Sequence, residues 1–251
     1  FLATTLIAGA VGALDDMKTL SAKVKPALTM LAGMPILLFG AYDPRPVFPI
    51  VGRTRLTMVY PFLIPFATAI PANAVNMMDP FNGVMSGSCT IVTLVLLVSS
   101  LLLGRTDAVT LSLCLLGPVI VLFYYNKYPA KVFSGDVGSL SIGAALGAIA
   151  VLGQLEVVAV VAFTPQIMNA FYGLSTVGRL YERREVSRPV AVLEDGRLMA
   201  TSDPKAPITL ARVILARGPL KEYESARVFI ALSAIAGLLA ILTAYLVLVA
   251  V

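Results

Sequence analysis

Apolar residues in this chain gather in long runs with polar residues collected between them, showing neither the period of two of a half-buried strand nor the stripe of a surface helix. About eight apolar runs stand out, near residues 1–14, 27–41, 58–77, 84–103, 108–125, 139–153, 156–174 and 228–251. They predict an all-α fold, a polytopic transmembrane helical bundle of about eight spans, with soft boundaries where a run is shorter than the roughly 20 residues that cross a bilayer. Pro61, Pro65 and Pro71 fall in the third run and Pro165 in the seventh. Kinks are tolerated there when neighbouring groups satisfy the freed carbonyls. No Met precedes Phe1 and the first run is short, so the chain reads as starting inside a helix: one transmembrane domain over 1–251 that lacks its N-terminal helices.

Residues 175–227 form the one sizeable polar stretch, a loop insertion too short to be an enzyme domain by itself. Within it, 189–193 and 197–201 flank Glu194, Asp195 and Gly196, which predicts a β-hairpin with Asp-Gly at the bend. Residues 208–217 predict a short amphipathic helix lying on the membrane surface.

Composition turns this pattern into a membrane assignment. The chain is 58% hydrophobic and 13% charged, with a mean hydropathy of +0.89, against about 25% charged residues in soluble domains. Cys89 and Cys114 lie in separate apolar runs, which makes neither a disulfide framework nor a metal spacing. There is no histidine. Any chemistry therefore falls to carboxylates, amides, Lys or Arg.

Charge then orients the chain. Lys18, Lys23, Lys25, Lys127, Lys131 and ten further Lys and Arg from Arg179 to Arg227 lie on one side, against Arg45, Arg53, Arg55 and Arg105 on the other. The positive-inside rule makes the first side cytoplasmic. Asp15, Asp16, Asp79 and Asp136 all fall at that same side, where they meet amides and lysines as a site for an anionic, metal-bound ligand requires.

Four constellations carry candidate chemistry. Asp15 and Asp16, followed by Lys23 and Lys25, supply oxygen ligands or a base together with phosphate-neutralising cations, or else a solvated turn. Asn73, Asn76, Asp79 and Asn82 share a helical face until Pro80 and Gly83 disturb it; they exceed what amide glue between helices usually needs. Phe133, Gly135, Asp136 and Gly138 open the sixth run, combining a stacking platform, close backbone approach and a carboxylate for a hard cation. Arg183, Arg184 and Arg188 in the polar loop suit phosphate or serve as a positive-inside anchor.

These motifs, in this order, resemble the polyprenyl-phosphate N-acetylhexosamine-1-phosphate transferases. Bacterial members look like Asn-x-x-Asn-x-x-Asp-Gly-x-Asp-Gly and carry a histidine-rich last loop, whereas this chain has Pro80, Asn82 and no histidine. Asn82 with Gly83 is similar to the eukaryotic and archaeal UDP-N-acetylglucosamine:dolichyl-phosphate N-acetylglucosamine-1-phosphate transferases, while Asp79 looks bacterial; the intermediate pattern suits an archaeal source.

The resemblance implies transfer of a sugar-1-phosphate from a UDP-sugar to dolichyl or another polyprenyl phosphate, with UMP released and Mg²⁺ or Mn²⁺ as cofactor. It implies Asn76 and Asp136 as metal ligands, Lys25 as a phosphate group's partner, and Asp15 and Asp16 as orienting the lipid phosphate or tuning the metal. Asn73 and Asn82 are expected at the substrate, Phe133 stacked on uracil, and Arg184 and Arg188 at the pyrophosphate and sugar. A homodimer is compatible with it; nucleic acid is not an expected partner. A secondary transporter or channel is the rival reading, but it predicts polar groups at the midplane and paired repeats, whereas the carboxylates here gather at one side.

Overall fold

The computed structural model describes residues 1–181 and 185–250. The chain is predominantly helical. In order come α1 (Leu2–Lys18), α2 (Val24–Thr29), a 3₁₀ turn (Met30–Gly33), α3 (Met34–Leu38), β1 (Val47–Phe48), β2 (Gly52–Arg53), α4 (Tyr60–Met77), α5 (Val84–Leu102), α6 (Thr106–Asn126) and α7 (Gly135–Leu152). Then follow α8 (Glu156–Ala162), α9 (Thr164–Val177), β3 (Val190–Val192), β4 (Leu198–Ala200), α10 (Leu210–Leu215) and α11 (Glu222–Ala250).

The fold is helical with four clear candidate spans, fewer than the expected eight, which length and composition do not confirm. Among the described residues, α5, α6, α7 and α11 are long and apolar enough to cross a membrane, and the bent pair α8–α9 raises the number to at most five. Two of the other runs are broken or short: 27–41 is divided among α2, the 3₁₀ turn and α3, and α1 has 17 residues. α4 has 18 residues and carries Pro65 and Pro71 inside it together with two amides, which dilute its hydropathy. α6 and α11 leave most of their apolar length outside the protein core, as lipid-facing helices do.

α7 lies at the centre, buried at Ser139, Leu140 and every position from Ile142 to Val151. Its small residues permit this. A Cβ on Gly147 would stand 2.2 Å from the Ala67 carbonyl oxygen of α4, and one on Gly12 of α1 would stand 2.5 Å from the Asp136 carbonyl oxygen of α7. Backbones therefore meet directly on two sides of α7, the close approach that small residues allow between helices in a bilayer.

The 66° bend between α8 and α9 is encoded locally. Pro165, in the first turn of α9, has no N–H to return to the Val161 carbonyl, and the Thr164 hydroxyl donates to that carbonyl instead at 2.7 Å.

In the polar loop, β3 and β4 pair antiparallel with Val190 opposite Ala200 and Val192 opposite Leu198, and Gly196 takes a φ of 78° at the bend. The amphipathic helix expected at 208–217 is shorter, and Leu210, Ala211 and Leu215 of α10 are buried in the protein. Its apolar face is satisfied by neighbouring elements, among them Phe229 of α11.

Replacing Gly147 with Ala is expected to cost about 1–3 kcal/mol through overpacking against α4. Gly117 of α6 has nothing within 4 Å of a built Cβ, so Gly117→Ala is expected to be neutral or stabilising by up to ~1 kcal/mol. Thermal unfolding of the two variants in one detergent checks the contrast.

Candidate active site

Three helix ends meet where the charges collect. The C-terminal ends of α1 and α4 bring Asp15 and Asn76, and the N-terminal end of α7 brings Asp136. Lys25, in the first turn of α2, reaches among them. Its Nζ donates to Asp15 Oδ2 at 2.8 Å, to Asn76 Oδ1 at 3.0 Å and, in a shorter contact, to Asp136 Oδ2. The Asn76 amide nitrogen donates to Asp136 Oδ1 at 2.7 Å and to the Ser139 hydroxyl at 2.9 Å. Residues from three helices thus share one cation supplied by a fourth.

Electrostatics favour a further positive charge here. Two carboxylates face one ammonium, and their side chains are only 11% and 27% exposed for Asp15 and Asp136. Limited solvent screening makes each pairing stronger than a surface ion pair. Three oxygens from Asp15, Asn76 and Asp136 already converge on a cationic nitrogen, and carboxylate and amide oxygens are the donors a hard divalent ion takes. The donor set fits Mg²⁺ or Mn²⁺, although among the described residues no three Asp, Glu, His or Cys come together.

Other expected residues fall elsewhere. Asp16 turns away from Lys25 and accepts from the amides of Asp136 and Val137 at 3.0 and 3.2 Å. The Asn73 amide donates to Thr29 Oγ1 at 2.7 Å and to the Ala69 carbonyl at 2.8 Å, joining α4 to α2. The predicted common face from Asn73 to Asn82 stops early, because α4 ends at Met77 and Met78 is buried as its C-cap. Asn82 lies instead in the loop before α5, held through its backbone N–H by Glu222 Oε1 of α11 at 2.9 Å. Phe133 is 73% exposed on the loop before α7. Arg188 is exposed ahead of β3, and Arg183 and Arg184 lie outside the described residues.

Several positioning groups have no obvious signature in the chain. Asn126, buried at the end of α6, accepts from the Gly83 amide at 3.2 Å and the Ser86 hydroxyl at 2.8 Å, and donates to the Val132 carbonyl at 3.0 Å. It ties the Asn82 loop to the Phe133 loop. Gly83, with φ 82°, turns the chain from Asn82 into α5, and a Cβ there would meet the Lys127 backbone at 3.0 Å. Asn169, in the seventh apolar run, donates to the Met77 carbonyl and accepts from the Leu210 amide, both at 3.0 Å. An amide in or at the end of an apolar run is the signal that could find both residues.

The polar loop is pinned rather than loose near this end. The Arg212 guanidinium donates to the carbonyls of Thr201, Asp203 and Ala206. The Ser187 hydroxyl beside Asp203 holds its carboxyl below the usual carboxylate range.

Apolar helices long enough to span a bilayer, with an acid–amide–lysine centre at one end of the bundle, define an integral membrane protein with a polar site at a membrane face. Residues 1–154 match the model of glycosyl transferase family 4, and the chain belongs to that family. It is 30% identical over 227 residues to a protein of Methanocaldococcus jannaschii named as a glycosyltransferase, covering 88% of this chain and 69% of that relative. A protein of Saccharolobus solfataricus named as a UDP-N-acetylglucosamine–dolichyl-phosphate N-acetylglucosaminephosphotransferase is 26% identical over 246 residues, covering 95% of this chain and 72% of the relative. The phospho-N-acetylmuramoyl-pentapeptide-transferase of Moorella thermoacetica is 33% identical over 132 residues, 52% of this chain and 42% of that enzyme.

Asn126→Ala is expected to lower stability by about 1–3 kcal/mol, because it strands the Gly83 amide and the Val132 carbonyl in a buried place. Asn82→Ala, which leaves the backbone bond to Glu222 intact, is expected to change it by less than about 0.5 kcal/mol. Denaturation of both variants in one detergent separates the two roles.

Proposed function

We propose that this chain carries the centre of a polyprenyl-phosphate sugar-1-phosphate transferase. It moves N-acetylglucosamine-1-phosphate, or a related sugar-1-phosphate, from a UDP-sugar to dolichyl or another polyprenyl phosphate at the cytoplasmic face. The observation that carries this reading is the convergence of Asp15, Asn76 and Asp136 on the Lys25 ammonium. Support comes from the family membership and from the names of the archaeal and bacterial relatives. The grouping of fifteen of the nineteen Lys and Arg on the same side supports the cytoplasmic placement.

In this reading an oxygen of the lipid phosphate attacks the sugar-bearing phosphorus of the UDP-sugar. The bond from that phosphorus to the bridging oxygen breaks, and UMP leaves with the electron pair. A phosphate dianion is already nucleophilic, so the protein's task is positioning and charge neutralisation rather than deprotonation. Asp136, Asn76 and Asp15 would hold the divalent ion, which when bound supplies positive charge to phosphoryl oxygens. Lys25, now shared by three oxygens, has the reach and charge to bind a phosphate. Phe133, exposed beside the centre's helix, offers a face for uracil, and Asn82 lies on the loop that Asn126 joins to it. Arg188 is assigned to the pyrophosphate and sugar. A homodimer is not part of this reading.

Three outcomes test it in full-length protein with a UDP-sugar and a polyprenyl phosphate. The nucleotide released is expected to be UMP, and its release to stop when EDTA removes the metal; release of UDP overturns the reaction assigned. Asp136→Ala is expected to cut turnover by roughly 10²–10³-fold or more, and unchanged turnover sinks the metal assignment. Phe133→Ala is expected to raise the UDP-sugar KM by about 5- to 100-fold with a smaller effect on kcat, since base stacking is worth about 1–3 kcal/mol and is made equally before and during reaction.

A further inference from the structure

Asp15 and Asp16 are adjacent in the chain, yet their carboxylates face different partners. Asp15 Oδ2 meets Lys25 and its Oδ1 accepts from the Leu20 amide at 2.5 Å, so it belongs to the shared-cation centre. Asp16 spends both oxygens on the backbone of α7, Oδ1 on Asp136 and Oδ2 on Val137.

The first four amides of a helix lack partners within it. α7 does not supply its own cap, because Ser134 makes no side-chain bond to the first turn. A carboxylate from α1 does so instead, with a charge of the sign that a helix N-terminus favours. Two further features fit this contact. Gly135 takes a φ of 59°, and a Cβ on it would stand 2.6 Å from Asp16 Oδ2. Gly12, one turn earlier on α1, lets the backbone of α1 press on Asp136 itself.

We propose that Asp16 is a positioning residue that caps α7 from α1 and thereby fixes where Asp136 presents its carboxylate to Lys25, Asn76 and a bound cation. The proposal rests on the reading of the centre given above. Asp136 is the residue whose amide is held and whose carboxylate serves the centre, so a change in the cap reaches the site without an intermediary. The acidic pair thus divides its work: Asp15 acts in the centre and Asp16 on the helix that carries it.

The test uses full-length protein in nanodiscs and reads three quantities: hydrogen exchange at the amides of Asp136 and Val137, Mn²⁺ affinity by electron paramagnetic resonance without substrates, and turnover. Asp16→Asn, which keeps one acceptor, is expected to speed exchange at these two amides by about 2- to 30-fold, the range for losing a cap. Mn²⁺ affinity is expected to fall, and turnover to recover as Mn²⁺ is raised. Gly135→Ala, which displaces the carboxylate without touching it chemically, is expected to reproduce the pattern. The double variant should then be no worse than the worse single one. Loss of turnover at saturating Mn²⁺, with exchange and Mn²⁺ affinity unchanged in Asp16→Asn, overturns the proposal and makes Asp16 a direct participant. Multiplying losses in the double variant overturn it as well. If Asp136→Ala leaves both Mn²⁺ binding and turnover intact, it is the reading of the centre that fails, while the exchange measurement still judges the cap.

Discussion

The Lys25 ammonium and the three oxygens around it draw four separate parts of the chain to one point. α1, α2, α4 and α7 each contribute one group. In a bilayer the hydrophobic effect does little to press one apolar helix on another, so specific contacts must choose which ends coincide. A half-buried ion cluster contributes little net stability on its own, because removing its members from water costs about as much as their attraction returns. Breaking it is different, since an unpaired charge is then left behind. The cluster therefore works as a constraint on register: helices that slide or rotate lose their compensation.

Close backbone contact makes that constraint stiff. α7 is buried at most positions from Ser139 to Val151, and Gly143 and Gly147 on it and Gly12 on α1 let α4 and α1 bring their backbones against it. Asn126 and Glu222 do the same for the second tier of the site by holding consecutive backbone amides of the loop that carries Asn82. The loop that carries Asn82 is thus tied by hydrogen bonds to α6 and α11.

Much of this was legible in the chain. The apolar runs marked most helices, the hairpin fell within a residue of its place, and Asp15, Lys25, Asn76 and Asp136 were identifiable as expensive polar residues at one membrane end. The division of 27–41 into short pieces was not, because hydropathy counts residues and cannot see the 3₁₀ turn at Met30–Gly33 or the start of a new helix at Pro35. Nor were the separate roles of Asp15 and Asp16, which differ only in which way two adjacent side chains leave α1. Asn73 looked like Asn76 in sequence, yet one turn of helix sends it to Thr29 instead of the centre. Such distinctions depend on azimuth around a helix and on which neighbour lies there.

The break at Thr164 and Pro165 needs no partner from the rest of the bundle. The hydroxyl that replaces the missing amide comes from the adjacent residue and bonds a carbonyl three positions back. The bend is therefore a property of its own segment, written in two neighbouring residues. α9 leaves the line of α8 at 66° for a reason that lies within the segment, and the polar loop starts from the far end of that bent element.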